Sequence, residues 1–265
     1  MQPILRWAGS KRQLVPKLLP FWGDGYERYI EPFAGSAALF FALQPRKALL
    51  NDINQELVFA LKQLRRSPDA VYDELQKYSP DRSSYYRLRG LLPESLGSVE
   101  RAARFVFLNR FCFNGLYRTN LAGRFNVPFA SFGTGALPAR EHFLVAAKFL
   151  RRARLKCEDF EKVILEHVRS GDFVYLDPPY AVANRRVFRQ YDPRTFGTED
   201  MKRLGRVLSE IHKRGAHFVV SYAYCREALD TLRAWRTCRV YAHRNISGFA
   251  RHRGLATEVL ATNID

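Results

Sequence analysis

Hydrophobic residues in this chain follow two patterns: short unbroken apolar runs, and longer stretches that repeat every three or four positions. Glu27 to Ile30, followed by Glu31-Pro-Phe-Ala-Gly-Ser-Ala-Ala-Leu-Phe-Phe, predicts a strand, a tight glycine turn and an apolar helix. Lys47 to Leu50 is a second short run and ends at Asn51-Asp52. From Gln55 to Lys77 the spacing becomes helical, with Leu57, Leu61 and Leu64 on one face. Further strands are predicted over Arg154 to Cys157, Phe173 to Leu176, His217 to Ser221 and Leu255 to Asn263. Between them, Asp200 to Arg214 repeats Met201, Leu204, Leu208 and Ile211 at helical spacing. Strands alternating with helices predict an α/β fold with a mostly parallel sheet.

Between Gln55 and Leu150 the alternation stops. The stretch is first helix-rich and then loop-rich, with Gly115, Gly123, Gly133 and Gly135. Arg101 to Lys156 carries 11 basic residues and a single acidic one, Glu141. Residues 1–54 and 151–265 are therefore expected to form the α/β domain, and 55–150 an insertion with a basic surface.

The whole chain is basic too, with 43 Lys+Arg against 26 Asp+Glu and a formal charge of +17. A globular chain of this charge points to a polyanionic partner, nucleic acid before acidic membrane. About three-quarters of the cations are arginine, which suits bidentate recognition of phosphates and guanine edges, though surplus arginine also simply solvates a surface. Cys112, Cys157, Cys225 and Cys238 lie far apart, which disfavours zinc knuckles and disulfide scaffolds and predicts a cytoplasmic protein. There is no signal-peptide pattern at the start and no apolar window long enough for a membrane span, so a soluble protein is expected.

In open α/β sheets, ligands bind beyond the carboxyl ends of the strands. Three predicted strand ends carry unusual residues. Phe33-Ala-Gly35 forms a turn in which backbone without a Cβ can approach a ligand closely. Asp52, 17 residues after Gly35, suits hydrogen bonding to ribose hydroxyls, although a solvated loop aspartate fits equally well. Asp177-Pro178-Pro179-Tyr180 is more specific. Two prolines fix the backbone and remove two donors, leaving carbonyls as acceptors. A carboxylate and such a carbonyl can take both hydrogens of an exocyclic amine while Tyr180 stacks on the planar base. An aryl amine is a poor nucleophile because its lone pair is delocalised. Two acceptors localise that pair and prepare it to attack a sulfonium methyl group.

Together these segments resemble the Dam-like, D12 class of DNA adenine-N6 methyltransferases. The resemblance rests on Trp7-Ala-Gly-Ser-Lys11, Glu31-Pro-Phe-Ala-Gly-Ser36, Asn51-Asp52, Asn109 through Asn120, Phe125 through Phe129, Asp177-Pro-Pro-Tyr180, Arg244-Asn-Ile-Ser247 and Glu258. It implies a Rossmann-like class I methyltransferase sheet, S-adenosylmethionine as cofactor, and double-stranded DNA as partner of a nucleoid-associated monomer. Trp7, Lys11, Phe33, Gly35 and Asp52 would contact the cofactor, with Asp177 between it and the target amine. Pro178, Pro179 and Tyr180 would complete the adenine pocket. The insertion would read the target: Phe113-Asn114 entering the duplex beside a flipped adenine, and Arg6, Leu116, Arg118 and Pro128 reaching base edges. Asn120 and Asn126 would support that loop or touch phosphate. Arg244, Arg251 and Arg253 make the C-terminal segment basic, which fits a phosphate-contacting hairpin or a flexible surface loop.

Arg124, where similar enzymes often carry glutamate, leaves open GATC or another site beginning GA. Also open are a cognate restriction endonuclease, cytosine-N4 methylation, and a DNA-binding protein of this fold without catalysis. Cytosine-C5 chemistry is disfavoured because no cysteine follows a proline.

Overall fold

Strands buried on both faces have no polar side to alternate with, which explains the unbroken apolar runs. In the computed structural model, residues 1–130, 135–180, 196–244 and 254–264 are described, with side chains omitted at 242–244 and 254–256. The expectations placed on Gly133, Asn245 to Ser247, Arg251 and Arg253 lie outside the described residues, as does the Arg244 side chain.

The N-terminal segment leads through the short helix α1 (Val15–Leu18) into β1 (Arg28–Glu31), α2 (Ala38–Leu43) and β2 (Ala48–Asn51). Five helices follow: α3 (Gln55–Arg66), α4 (Pro68–Gln76), α5 (Arg82–Gly90), α6 (Ser98–Phe111) and α7 (Arg140–Phe149). The alternation then resumes with β3 (Ala153–Lys156), α8 (Phe160–His167), β4 (Asp172–Leu176), α9 (Thr198–Lys213), β5 (His217–Ala223) and α10 (Arg226–Leu232). Two long strands close the chain, β6 (Arg236–Arg244) and β7 (Gly254–Thr262).

The seven strands form one sheet in the order β3-β2-β1-β4-β5-β7-β6. Strands β1 to β5 run parallel, β7 is antiparallel to β5, and β6 is antiparallel to β7. The mostly parallel sheet is what the alternation predicted, and its order is Rossmann-like, as the resemblance implied; the antiparallel edge of β7 and β6 was not foreseen. The helical stretch expected from Gln55 to Lys77 is two helices, because Ser67-Pro68 interrupts it: proline lacks the donor an uninterrupted helix would use there and instead starts α4.

The helices between β2 and β3 do not stand apart. Leu57, Leu61 and Leu64 of α3, Phe107 and Leu108 of α6 and Phe143 of α7 share a continuous core with Tyr29 and Phe173 of the sheet. A second core covers the opposite face, where Val207, Leu208 and Ile211 of α9 pack with Val174, Leu176 and Phe218.

Candidate active site

From β1 the chain builds outward to β2 and β3, then returns to β4 on the other side of β1. The carboxyl ends of β1 and β4 therefore flank the point where strand order reverses, where a crevice opens. Three acidic residues converge near it. Glu31 is the last residue of β1, Asp52 follows β2, and Asp177 follows β4. Burial raises the carboxyl pKa of all three. For Asp52 the backbone N–H groups of Asn54 and Gly35, each at 2.9 Å, work in the opposite direction. One carboxylate thus ties the glycine turn to the start of α3.

Asp177 is held by a buried network. Lys11 Nζ lies 2.7 Å from its Oδ1, and Ser221 Oγ donates to the same oxygen at 3.2 Å. Tyr175 and Ser221 share a hydrogen bond of 2.9 Å, so with the serine proton on Asp177 the tyrosine is the donor. Lys11 also donates to the Tyr180 hydroxyl at 2.9 Å, and that hydroxyl donates to Glu258 Oε1 at 2.9 Å. Among the described residues Asp177 Oδ2 accepts no hydrogen bond. Among the described residues the carboxylate is therefore anchored through one oxygen alone. Burial pushes the Asp177 carboxyl up and the Lys11 ammonium draws it down. Lys11 itself is raised: burial opposes its charge, but Asp177, Tyr180 and Glu258 outweigh that cost. Burial pushes Tyr180 up to about 12, so it remains a phenol at neutral pH.

The glycine turn is filled from the N-terminal segment. Gly35 has φ of +49°, and a Cβ there would lie 2.7 Å from Trp7 Cδ1. The close approach expected of this glycine is taken up by the Trp7 indole, which stacks on Tyr117 at 6.0 Å. Phe33 packs on Phe160 at 5.0 Å and edge-on to Phe196 at 6.2 Å. Pro178 is buried, whereas Pro179 is exposed.

A buried-network carboxylate at the end of β4, on a sheet of this order and followed by two prolines and a tyrosine, is the arrangement that the sequence resemblance implies. A family model for the D12 class N6 adenine-specific DNA methyltransferase matches residues 7–246. The chain belongs to this family. It is 32% identical to a type II methyltransferase of Lactococcus lactis subsp. cremoris, covering 99% of this chain and 95% of that one. Identity is 33% to a DNA N-6-adenine-methyltransferase of Escherichia phage P1, covering 97% of this chain and 35% of that one. It is 30% identical to a DNA adenine methylase of Vibrio cholerae, covering 97% and 94%. The protein is thus an adenine-specific DNA methyltransferase with a DNA substrate.

In this methyltransferase the N-terminal segment connects the pocket to the helices between β2 and β3. The Arg6 N–H donates to Asn109 Oδ1 at 2.8 Å, and Asn109 Nδ2 donates back to the Arg6 carbonyl at 2.6 Å. The Arg6 guanidinium donates to the carbonyl of Arg110 at 3.1 Å. A Cβ on Gly115 would lie 2.8 Å from Arg6 Cβ. Beyond α6 the chain forms a narrow loop bridged at Cys112–Phe129 and Thr119–Phe125. Arg118 Nε donates to Asn126 Oδ1 at 2.7 Å, and Asn120 Oδ1 accepts from the N–H groups of Ala122 and Arg124 at 3.1 and 3.0 Å. Phe113 and Pro128 are exposed, and Leu116 and Arg118 are half-buried. Asn114 has φ of +54°, and its buried Nδ2 has no partner among the described residues.

Sequence reasoning singled out Glu31 and Glu258 without giving either a role, and passed over Tyr175 and Ser221. The polar Ser221 in the apolar run Phe218-Val-Val-Ser-Tyr222 was the available signal, since a buried serine in a strand needs a partner. Among the described residues no helix is long and apolar enough to cross a membrane.

Proposed function

We propose that this methyltransferase uses S-adenosylmethionine and modifies N6 of an adenine flipped out of duplex DNA, at GATC or another site beginning GA. The observation that carries the reading is the Asp177 carboxylate, anchored through Oδ1, with Oδ2 accepting no hydrogen bond among the described residues and two prolines following. The switch-point residues fit the donor: Glu31 Oε2 is a buried acceptor without a hydrogen-bond partner, and Asp52, Phe33 and Trp7 surround the glycine turn. When bound, S-adenosylmethionine supplies an electrophilic sulfonium methyl group.

The residues of the chain do the rest. Asp177 Oδ2 and a proline carbonyl accept the two N6 hydrogens, localising the lone pair of the amine and orienting it. Asp177 takes up the proton character the nitrogen sheds, so no covalent intermediate with the enzyme is required. Tyr180 presents a ring face to the base, held in place by Glu258 and edge-on to Tyr222. Phe113 fills the space the base leaves. Arg118, aligned by Asn126, reads a guanine edge. The chain works as a monomer, and the type II name of the Lactococcus relative supports a role alongside a cognate endonuclease.

The test is single-molecule sequencing of plasmid from a methylation-free host expressing the protein, paired with ultraviolet crosslinking of labelled S-adenosylmethionine. N6-methyladenine at one recurring GA-containing site, with labelling of the purified chain, is expected. A recurring site without GA would overturn the assignment of Arg6 and Arg118. A folded chain that takes up no label would overturn the donor.

A further inference from the structure

The edge of the sheet opposite the pocket carries a second concentration of positive charge. Parallel strands all begin there, just as their carboxyl ends all face the site. Lys47 precedes β2, and Arg151 and Arg152 precede β3, with Ala48 and Ala153 paired in register. Helix α3 starts just past the carboxyl end of β2 and runs back about 18 Å along the sheet, at about 1.5 Å per residue. It delivers Lys62, Arg65 and Arg66 to this edge, where Arg65 Nη1 donates to the carbonyl of Ala153 at 2.8 Å. Lys62, Arg65, Arg66 and Arg151 line a shallow hollow of about 560 Å³ together with Gln63.

Nothing described neutralises these six cations. Among the described residues none of them forms an ion pair. The acidic residue that follows in the chain, Asp69, is held by Arg140 at 2.9 Å, and Glu56, at the other end of α3, is held by Arg101. The carbonyl end of α3 offsets about half a charge. Clustered like charges repel, and a polyanion lying across them removes that repulsion while releasing counterions. The enzyme's own substrate is such a polyanion. Duplex DNA is stiff over about 50 nm, so a segment seated at the carboxyl edge does not bend round to the amino edge. Whatever duplex covers the distal cluster is a second segment.

We propose that the amino edge of β2 and β3 is a second duplex-DNA contact, made through phosphates without base reading. One molecule then holds two DNA segments and can pass between them while it searches for its site. The inference rests on the placement of the catalytic pocket at the carboxyl edge, and its experiment separates the two.

A short target duplex is fixed to beads and saturated with enzyme, and a labelled duplex lacking any target site is then offered. Wild type is expected to retain the second duplex. The Lys47→Gln, Lys62→Gln, Arg66→Gln, Arg151→Gln combination should retain about tenfold less, because several phosphate contacts are lost. Both proteins should methylate the short duplex at closely similar rates, which also shows that the variant is folded. Wild type that methylates the bead-bound duplex yet retains no second one would overturn the proposal. So would a variant that retains the second duplex as well as wild type does, or capture of an acidic polypeptide in place of DNA. A wild type that fails to methylate would count against the pocket, while retention would still decide the distal contact.

Discussion

Lys11 Nζ lies 2.7 Å from Asp177 Oδ1, so the N-terminal segment supplies the counter-charge for the carboxylate at the end of β4. Without that ammonium, burial would favour a protonated Asp177, which could not accept from an amine. The pair therefore sets the charge state on which the proposed chemistry depends.

Replacing Asp177 with Asn preserves its size and removes its charge. Single-turnover methylation should slow by about 10²–10⁴-fold, the range of a positioned acid–base group. Affinity for duplex DNA should change little. Turnover near the wild-type rate would remove Asp177 from the reaction.

Lys11→Gln should change the pH dependence. Lys11 draws the Asp177 carboxyl down against burial, so losing it raises that pKa. Activity that needs the ionised form then disappears at a higher pH as the solution is acidified. The acid limb of the kcat/KM profile should move to higher pH, the effect of losing an adjacent opposite charge. Lys11→Arg should move it back.

Tyr180→Phe keeps the ring and removes the bridge between Lys11 and Glu258. A loss of about 10–100-fold in kcat is expected, matching ~1.5–3 kcal/mol for a hydrogen bond to a charged group. Glu258→Gln should give a smaller loss in kcat with an unchanged KM for DNA. If KM rose while kcat held, these residues would be binding substrate rather than positioning Asp177.

Gly35→Ala combines a left-handed backbone with a 2.7 Å contact to the Trp7 ring. Urea unfolding should show a loss of about 1–3 kcal/mol. Adding Trp7→Ala should recover part of it, because the steric component depends on the indole and the backbone strain does not. Full additivity of the two substitutions would contradict the contact.

Arg118→Ala should lower discrimination at one base pair of the target by about 1–3 kcal/mol. Asn126→Ala should do part of the same, since Asn126 Oδ1 holds the guanidinium Nε at 2.7 Å. The double substitution should cost less than the sum of the two. Uniformly weaker binding with unchanged preference would make Arg118 a phosphate contact.

Much of this was readable along the chain because the relevant physics is local. Buried strands show as apolar runs, and Asp177-Pro-Pro-Tyr180 and Phe33-Ala-Gly35 announce their chemistry through neighbouring residues. Strand β6 was harder to see: at its start only Cys238 and Val240 alternate with polar residues, and Cys238 is exposed at the edge of the sheet. The break between α3 and α4 was written in Ser67-Pro68 but masked by the continuing leucine spacing.

Local residue patterns carry the sheet class, the strand ends that bear chemistry and the family to which those motifs belong. The partners of the polar side chains come from packing in three dimensions. Trp7 met Gly35, Lys11 met Asp177, and Ser221 and Tyr180 drew in Tyr175 and Glu258 from strands β4 and β7. Strand and turn preferences act between neighbours in the chain, whereas a buried charge is balanced by whichever group the packing brings within about 4 Å.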